Sequence, residues 1–178
     1  INFDRKETGA LYVGDVGQSS QEEFNRVKKG QNYGWPIVEG QLCFAETKCD
    51  QEKFQRPLGS FSKTWMRSII GGFVYRGDSI EFLKGRYVFA DYYRGLFSTA
   101  LPKSFNRYKT VTIPQFLLPK SLSPDPKVKG RSLVFNSLSE DLDGELYALS
   151  YWGNVYKLKA SSWNEALLDF IYTVTAFW

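Results

Sequence analysis

The sequence has no histidine, and it contains only two cysteines and one methionine in 178 residues. Without histidine the chain by itself supplies no imidazole base and no imidazole ligand for a metal ion. Two cysteines are too few for a structural zinc site. Cys43 and Cys49 stand in a polar stretch. Either they form a local disulfide, which we favour and which indicates an oxidising compartment, or they are two free thiols.

Long apolar runs and basic blocks are also missing. No apolar run approaches the roughly 18–20 residues of a membrane span. The net charge is only +4, and the lysines and arginines are scattered, whereas a nucleic-acid interface needs a concentrated basic stripe. The sequence therefore predicts neither a membrane span nor a nucleic-acid partner.

Aromatic residues are abundant, at 17% of the chain, and they favour half-buried strands. A glycine followed by an aromatic strand recurs near residues 9, 85 and 144. We predict strands over Arg86–Asp91 and Leu96–Leu101 with a turn at Tyr92–Gly95, and a second hairpin over Glu145–Leu149 and Val155–Leu158. The spacings exceed the about 40–50 residues of one propeller blade, so each would hold a blade and an insertion. The pattern predicts an all-β fold, with radially arranged sheets favoured over a sandwich.

Four other segments have different patterns. Gln21–Lys28 is predicted to form one or two helical turns that end before Gly30. The proline-rich stretch Lys103–Lys129 is predicted to be a long connection. In the tail we predict a short helix over Glu165–Ile171 and a strand over Tyr172–Trp178.

The stretch from Gly14 to Pro36 is polar and contains several glycines, as loops that contact ligands or metals often do. On composition alone, a turn-rich connection with a buried Trp35 is equally plausible. The stretch reads GDVGQ, EEFN and QNYGWP, and it is followed by EG and by the two cysteines. Further along are GGFVYRG, GRYVFADY and EDLDGELY.

In this order, over roughly residues 9 to 159, these motifs resemble the glucose/sorbosone dehydrogenase family. The cysteines and the GGFVYRG run resemble most its hedgehog-interacting-protein-like branch. The resemblance implies a six-bladed β-propeller, here a partial propeller of about three blades with long loops. Residues 1–160 would be the C-terminal part of that domain, residues 161–178 a tail of unclear role, and the protein extracellular or periplasmic.

Many family members bind calcium and pyrroloquinoline quinone (PQQ). The resemblance assigns calcium to the carboxylate of Glu23 and the backbone carbonyl of Tyr33, which are the hard oxygen ligands that this ion prefers. Asn25 is expected to satisfy the backbone of the loop, and Asp15 could serve either role.

In the family's enzymes a histidine takes the proton from the anomeric hydroxyl of an aldose while a hydride passes to PQQ. That base is expected in the N-terminal half, so this chain contains no catalytic residue and is expected to be inactive alone. Lys63 stands where many relatives have histidine, and residues 135–138 lack the arginines of PQQ-binding enzymes. Arg94 remains as the candidate cofactor contact.

Two functional hypotheses result. The first is a PQQ-dependent aldose dehydrogenase with calcium and a sugar substrate. The alternative is a non-catalytic, hedgehog-interacting-like extracellular propeller that binds a protein or a glycan with the same loops.

Overall fold

A computed structural model describes residues 1–100, 110–112, 134–151, 153, 155–160 and 173–174. Two short 3-10 helices interrupt the strands, at Gln51–Lys53 and Glu81–Leu83. The strands in chain order are β1 Asn2–Phe3, β2 Leu11–Asp15, β3 Gln21–Val27, β4 Val38–Glu39, β5 Leu42–Cys43, β6 Gly59–Ser62, β7 Ile69–Val74, β8 Arg86–Asp91, β9 Gly95–Ala100, β10 Thr110–Thr112, β11 Phe135–Glu140, β12 Leu146–Ser150, β13 Val155–Lys157 and β14 Thr173–Val174.

These strands form three antiparallel sheets of four strands each. The first sheet has the order β1-β2-β3-β6, the second β7-β8-β9-β10 and the third β11-β12-β13-β14. In each sheet the strands follow one another as in a meander. One insertion interrupts the first sheet at residues 28–58, between β3 and β6, and contains the separate β4-β5 hairpin.

The glycine-led repeats of the sequence become the second strand of each sheet, namely β2, β8 and β12. The turn before that strand needs a left-handed backbone, which Gly85 and Gly144 provide at φ values of 71° and 87°. The repeat therefore marks equivalent positions in three equivalent sheets.

The second sheet is buried on both faces. Alternate residues of β8 point to opposite sides of the sheet, and each set packs in a different core cluster. Tyr87 and Phe89 belong to a core cluster with Tyr12 and Phe24 of the first sheet. Their rings stack, with centroids 4.9 Å apart for Phe24 and Tyr87.

Residues of β8 that face the other way, among them Val88, pack against Phe135, Leu146 and Tyr156 of the third sheet. Three sheets thus pack one after another, as the blades of a propeller do, whereas a sandwich would stack two. The predicted all-β fold, a partial propeller of about three blades, is confirmed.

Glycine allows the first and second sheets to touch at one point. A Cβ atom added to Gly14 of β2 would lie only 2.8 Å from the Cα of Gly71 on β7. No side chain fits between the two backbones there, so this contact fixes the distance between β2 and β7.

The predicted helical turns at Gln21–Lys28 are wrong, because this segment is strand β3. It pairs with β2 on one side and with β6 on the other. Glu22, Glu23 and Asn25 are buried in it, so its polar composition concealed a central strand.

Other predictions fall partly outside the described residues. Most of Lys103–Lys129 does so, and its described part, Thr110–Thr112, pairs with β9. The helix predicted at Glu165–Ile171 lies wholly outside. Of the tail strand, Thr173–Val174 pairs with β13 and completes the third sheet. Among the residues that are described, no helix has the length and apolarity to cross a membrane.

Candidate functional site

The insertion folds back onto the turn between β2 and β3. Glu39 on β4 accepts hydrogen bonds from the backbone N–H groups of Ser19, at 2.7 Å, and Ser20, at 3.0 Å. Gln21 accepts one from the Gln41 N–H at 2.7 Å. The end of the hairpin is closed by the disulfide Cys43–Cys49, which confirms the favoured pairing. The sequence stretch Gly14–Pro36 and the hairpin are therefore one structural unit.

Between this hairpin and the turn lies a cleft of about 270 Å³, called here the acidic cleft. Three carboxylates line it, those of Asp15, Glu23 and Glu39, and the described lining residues include no lysine or arginine. The other lining residues are Val16, Gly17, Gln18, Gln21, Tyr33, Trp35 and Val38. The cleft is thus a site of concentrated negative charge.

Glu23 lies at the buried floor of the cleft. One carboxylate oxygen accepts a hydrogen bond from the Asn25 amide at 2.8 Å, and the other accepts one from the Gly40 N–H at 2.7 Å. Asn25 therefore holds Glu23, and not the loop backbone that the sequence suggested. Its own side-chain oxygen is buried and has no hydrogen-bond partner in the part of the chain that the structure describes.

Burial raises the pKa of the Glu23 carboxyl, and the hydrogen bond from Asn25 only partly offsets it. The neighbouring charges of Asp15 and Glu39 raise the pKa further. Desolvation at the cleft also raises the pKa of Asp15. Groups that repel each other in this way gain from any cation that enters.

Glu23 and Tyr33, the two predicted calcium ligands, both line the acidic cleft. The Tyr33 hydroxyl is already engaged, because it donates to the Arg26 carbonyl at 2.9 Å and accepts from the Lys28 N–H at 2.9 Å. Within the described part of the chain, no three His, Cys, Asp or Glu side chains converge as a ready metal site. A metal ion here would therefore need main-chain oxygens as well.

Trp35 is not buried as composition alone allowed, but is 54% exposed at the mouth of the cleft. Its ring packs on Phe44 of the hairpin, with centroids 4.7 Å apart. Close packing also shapes the turn. A Cβ atom on Gly17 would lie 1.6 Å from the Gln21 carbonyl oxygen and 2.5 Å from the Glu39 carboxylate.

Arg94, the predicted cofactor contact, is not at the acidic cleft. It lies exposed in the turn between β8 and β9, where its backbone N–H donates to Asp91 at 2.9 Å. The rings of Tyr92, in the same turn, and Tyr151, after β12, meet edge to face at 6.0 Å. Arg94 therefore belongs to a separate surface, called here the turn face, which is formed by the turns of the second and third sheets.

Lys63 also lies beside this face, in the connection from β6 to β7. Its ammonium group forms an ion pair with the fully buried carboxylate of Glu22, and Glu22 also accepts a hydrogen bond from the Ile69 N–H at 2.7 Å. At the position where histidine was expected in relatives, this chain thus has a cation paired with Glu22, the carboxylate that joins β3 of the first sheet to β7 of the second.

Glu39 was not among the predicted site residues, although it is buried and contributes to the cleft. The only signal was the Glu-Gly pair that closes the family motif. Its role became visible only when the hairpin was seen to fold back over residues 19 and 20.

The family model for Glucose / Sorbosone dehydrogenase matches residues 2–101, which include the acidic cleft and Arg94. The HIPL1 protein of Arabidopsis thaliana is 30% identical over 177 residues, covering 88% of this chain. The HIPL2 protein of the same plant is 25% identical over 167 residues, covering 86%. The chain spans only 25% and 23% of the length of these two relatives.

Solved structures show the same fold at low identity. A glucose dehydrogenase superposes with a TM-score of 0.63 at 17% identity, covering 88% of this chain and 42% of the other. The soluble aldose sugar dehydrogenase of Escherichia coli, in its apo form, gives 0.53 at 17% identity, covering 80% and 38%. With the sequence match over more than half of its residues, this chain belongs to the glucose/sorbosone dehydrogenase family.

Proposed function

We propose that this chain supplies a calcium-binding cleft to a PQQ-dependent aldose dehydrogenase. The observation that carries the proposal is the acidic cleft, where Glu23 and Tyr33 lie with two further carboxylates and with no basic side chain among the described residues that line it. The aldose class and the quinone are inferred from family membership, and both belong to the whole protein.

The residues present fit calcium. Ca²⁺ takes six to eight oxygen ligands in flexible geometry, and carboxylates combined with main-chain carbonyls are typical. Glu23 and the Tyr33 carbonyl would hold the ion. The ion would relieve the repulsion among Asp15, Glu23 and Glu39 and would tie the insertion to the first sheet.

For the quinone, this chain offers the guanidinium of Arg94 on the turn face, which could hold a carboxylate of PQQ. When bound, PQQ supplies the acceptor for a hydride. The base that removes the sugar's proton would come from outside this chain. Lys63 does not fit that role, because its ammonium group is already engaged in an ion pair with the buried Glu22 carboxylate.

The ion pair between Lys63 and Glu22 favours a second candidate, a non-catalytic propeller that binds a protein or a glycan, because it occupies the position where histidine is expected in relatives. On β11, where PQQ-binding enzymes are expected to carry arginines, Phe135 and Leu138 are buried in the core. The similarity to the plant HIPL proteins agrees with this candidate. In both cases we propose an extracellular or periplasmic location, which the Cys43–Cys49 disulfide supports.

Calcium titration of the chelator-treated full-length protein tests the cleft. We expect one site by isothermal titration calorimetry, weakened about tenfold or more, or about 1.4 kcal/mol, in Glu23→Gln. Glu46→Gln, in the exposed disulfide loop, is the matched control and should bind as the wild type does. Equal affinity in all three proteins would refute the calcium assignment.

Dye reduction separates the two candidates. The full-length protein, loaded with calcium and PQQ, is given a panel of aldoses. The enzyme hypothesis predicts that the wild type reduces the dye and that Arg94→Ala needs a higher PQQ concentration to do so. Arg5→Ala, a control at an exposed arginine, should need the same PQQ concentration as the wild type. No reduction with any aldose, together with no PQQ binding, would establish the non-catalytic candidate.

A further inference from the structure

The acidic cleft has a buried floor and an exposed mouth. Glu23 and Glu39 form the floor, and both are hydrogen-bonded to backbone N–H groups. Asp15, Gln18 and Trp35 form the mouth, and all three are exposed. Within residues 1–100, the Asp15 carboxylate and the Trp35 indole N–H make no hydrogen bond to the protein. The floor is used by the fold, whereas the mouth remains available to a ligand.

Trp35 is held in place although it is exposed. The Gly34 carbonyl accepts hydrogen bonds from the N–H groups of both Ile37, at 2.7 Å, and Val38, at 2.9 Å, which closes the turn behind it. Phe44, against which the indole packs, is anchored by its N–H to the Ile37 carbonyl at 2.8 Å and follows the disulfide-bonded Cys43. A fixed aromatic ring binds a ligand with little loss of conformational entropy.

The chemistry of the mouth narrows the ligand class. Three carboxylates without a basic neighbour repel anions, so phosphates and sugar acids are disfavoured. The indole offers a flat apolar face, while Asp15 and Gln18 offer hydrogen-bonding groups beside it. A pyranose ring has both counterparts, an apolar C–H face and an edge of hydroxyl groups. The volume of about 270 Å³ is close to the lower limit of small-molecule sites and suits a single ring.

We propose that the mouth of the acidic cleft is a binding subsite for one pyranose ring of a neutral glycan, which stacks on Trp35 and donates hydroxyl hydrogen bonds to Asp15. The inference rests on the proposed function in one respect, since a cation on the floor neutralises charge that would otherwise favour a cationic ligand. It does not depend on sugar oxidation, and it applies to an enzyme and to a non-catalytic propeller alike.

Methyl β-D-glucopyranoside is a suitable probe, because its blocked anomeric carbon prevents oxidation. In calcium-containing buffer, saturation-transfer NMR on the full-length protein should show transfer to the ring C–H protons, with a dissociation constant on the order of millimolar. Trp35→Ala should weaken binding at least tenfold, and Trp35→Phe should restore most of it. Trp65→Ala is the matched control, since Trp65 is similarly exposed, at 43%, and also packs on a phenylalanine, but lies outside the cleft.

Glycoside binding that is unchanged in Trp35→Ala, or no binding by the wild type, would overturn the proposal. Trp35-dependent binding of tetramethylammonium in place of the glycoside would overturn it in favour of a cation site. Failure of the calcium proposal is read separately, from the Glu23→Gln titration. A protein that binds glycoside through Trp35 but no calcium would keep the subsite and lose only the metal.

Discussion

Glu23 in the acidic cleft and Glu145 between the second and third sheets are both buried glutamates, yet their pKa values shift in opposite directions. Burial raises the pKa of both. At Glu145, hydrogen bonds from the Tyr75 hydroxyl at 2.7 Å and from the N–H groups of Asp78 and Ser79, both at 2.9 Å, outweigh burial and lower the pKa. At Glu23, fewer groups donate hydrogen bonds and two carboxylates lie nearby, so the pKa stays raised.

This difference separates a structural carboxylate from a binding carboxylate. Glu145 has its donors supplied by the protein, so its charge is already stabilised and serves to join two sheets. The charge of Glu23 is only partly stabilised, which costs folding free energy unless a ligand supplies the rest. Incomplete satisfaction of buried charge, and not burial itself, therefore indicates the site.

The largest expected effect is from Glu145→Gln. The amide nitrogen of Gln cannot accept the hydrogen bonds that one of the two carboxylate oxygens accepts, so at least one buried donor is left unpaired. We expect the free energy of unfolding to fall by about 2–3 kcal/mol, measured by urea denaturation of the full-length protein. Exposed Glu52→Gln should change it by less than about 0.5 kcal/mol. A loss at Glu145 no larger than that of the control would remove the distinction drawn here.

Glu23→Gln should cost less, about 1 kcal/mol or below. The unpaired side-chain oxygen of Asn25 can accept from the new amide if the Asn25 amide turns over, and the Gln oxygen can still accept from the Gly40 N–H. Denaturation in chelator isolates this effect from metal binding. A loss equal to that of Glu145→Gln would show that Glu23 is structural too.

The smallest effect, and the most specific, is on pH dependence. The pKa of Glu145 is lowered, so its stabilisation is present above the ordinary glutamate pKa of about 4.3 and is lost as the pH falls through the folded value. The pKa of Glu23 is raised, so its contribution is present below about 4.3 and is lost as the pH rises through the folded value.

In the pH range below about 4.3, the loss of unfolding free energy caused by Glu145→Gln should therefore increase as the pH is raised. In the pH range above about 4.3, the loss caused by Glu23→Gln should decrease as the pH is raised. Denaturation midpoints across the acidic range, in chelator, test both slopes. Slopes of the same sign would contradict the comparison.

The recurring glycine and the aromatic strand that follows it made much of the fold predictable from sequence. The strand Arg86–Asp91 was predicted with its observed bounds, because aromatic and aliphatic residues fill both faces of a strand that lies between two others. Strand β3 was not predictable in this way. Its buried residues include Glu22 and Glu23, which accept hydrogen bonds from the distant N–H groups of Ile69 and Gly40, so nothing local indicated that they are inside.

The site was predicted in part for the same reason. Glu23 and Tyr33 came from a motif, and the structure places both at one cleft. Glu39 and the exposure of Trp35 depend on how the hairpin folds back over the first sheet, which is a long-range contact that no local pattern shows. Arg94 lies on a different surface, and its proposed role at a cofactor remains a prediction.

The glycine contact between Gly14 and Gly71 has a consequence for the geometry of the whole ring. Strand β7 is the edge of the second sheet, and there the two backbones touch, whereas farther out the rings of Phe24, Phe61 and Phe89 stack between the sheets. Two sheets that touch on one side and are held apart on the other form a wedge. When such sheets are repeated around an axis, the angle between neighbours determines how many blades close the propeller. Side-chain volume at a few positions between the sheets therefore helps to set the number of blades.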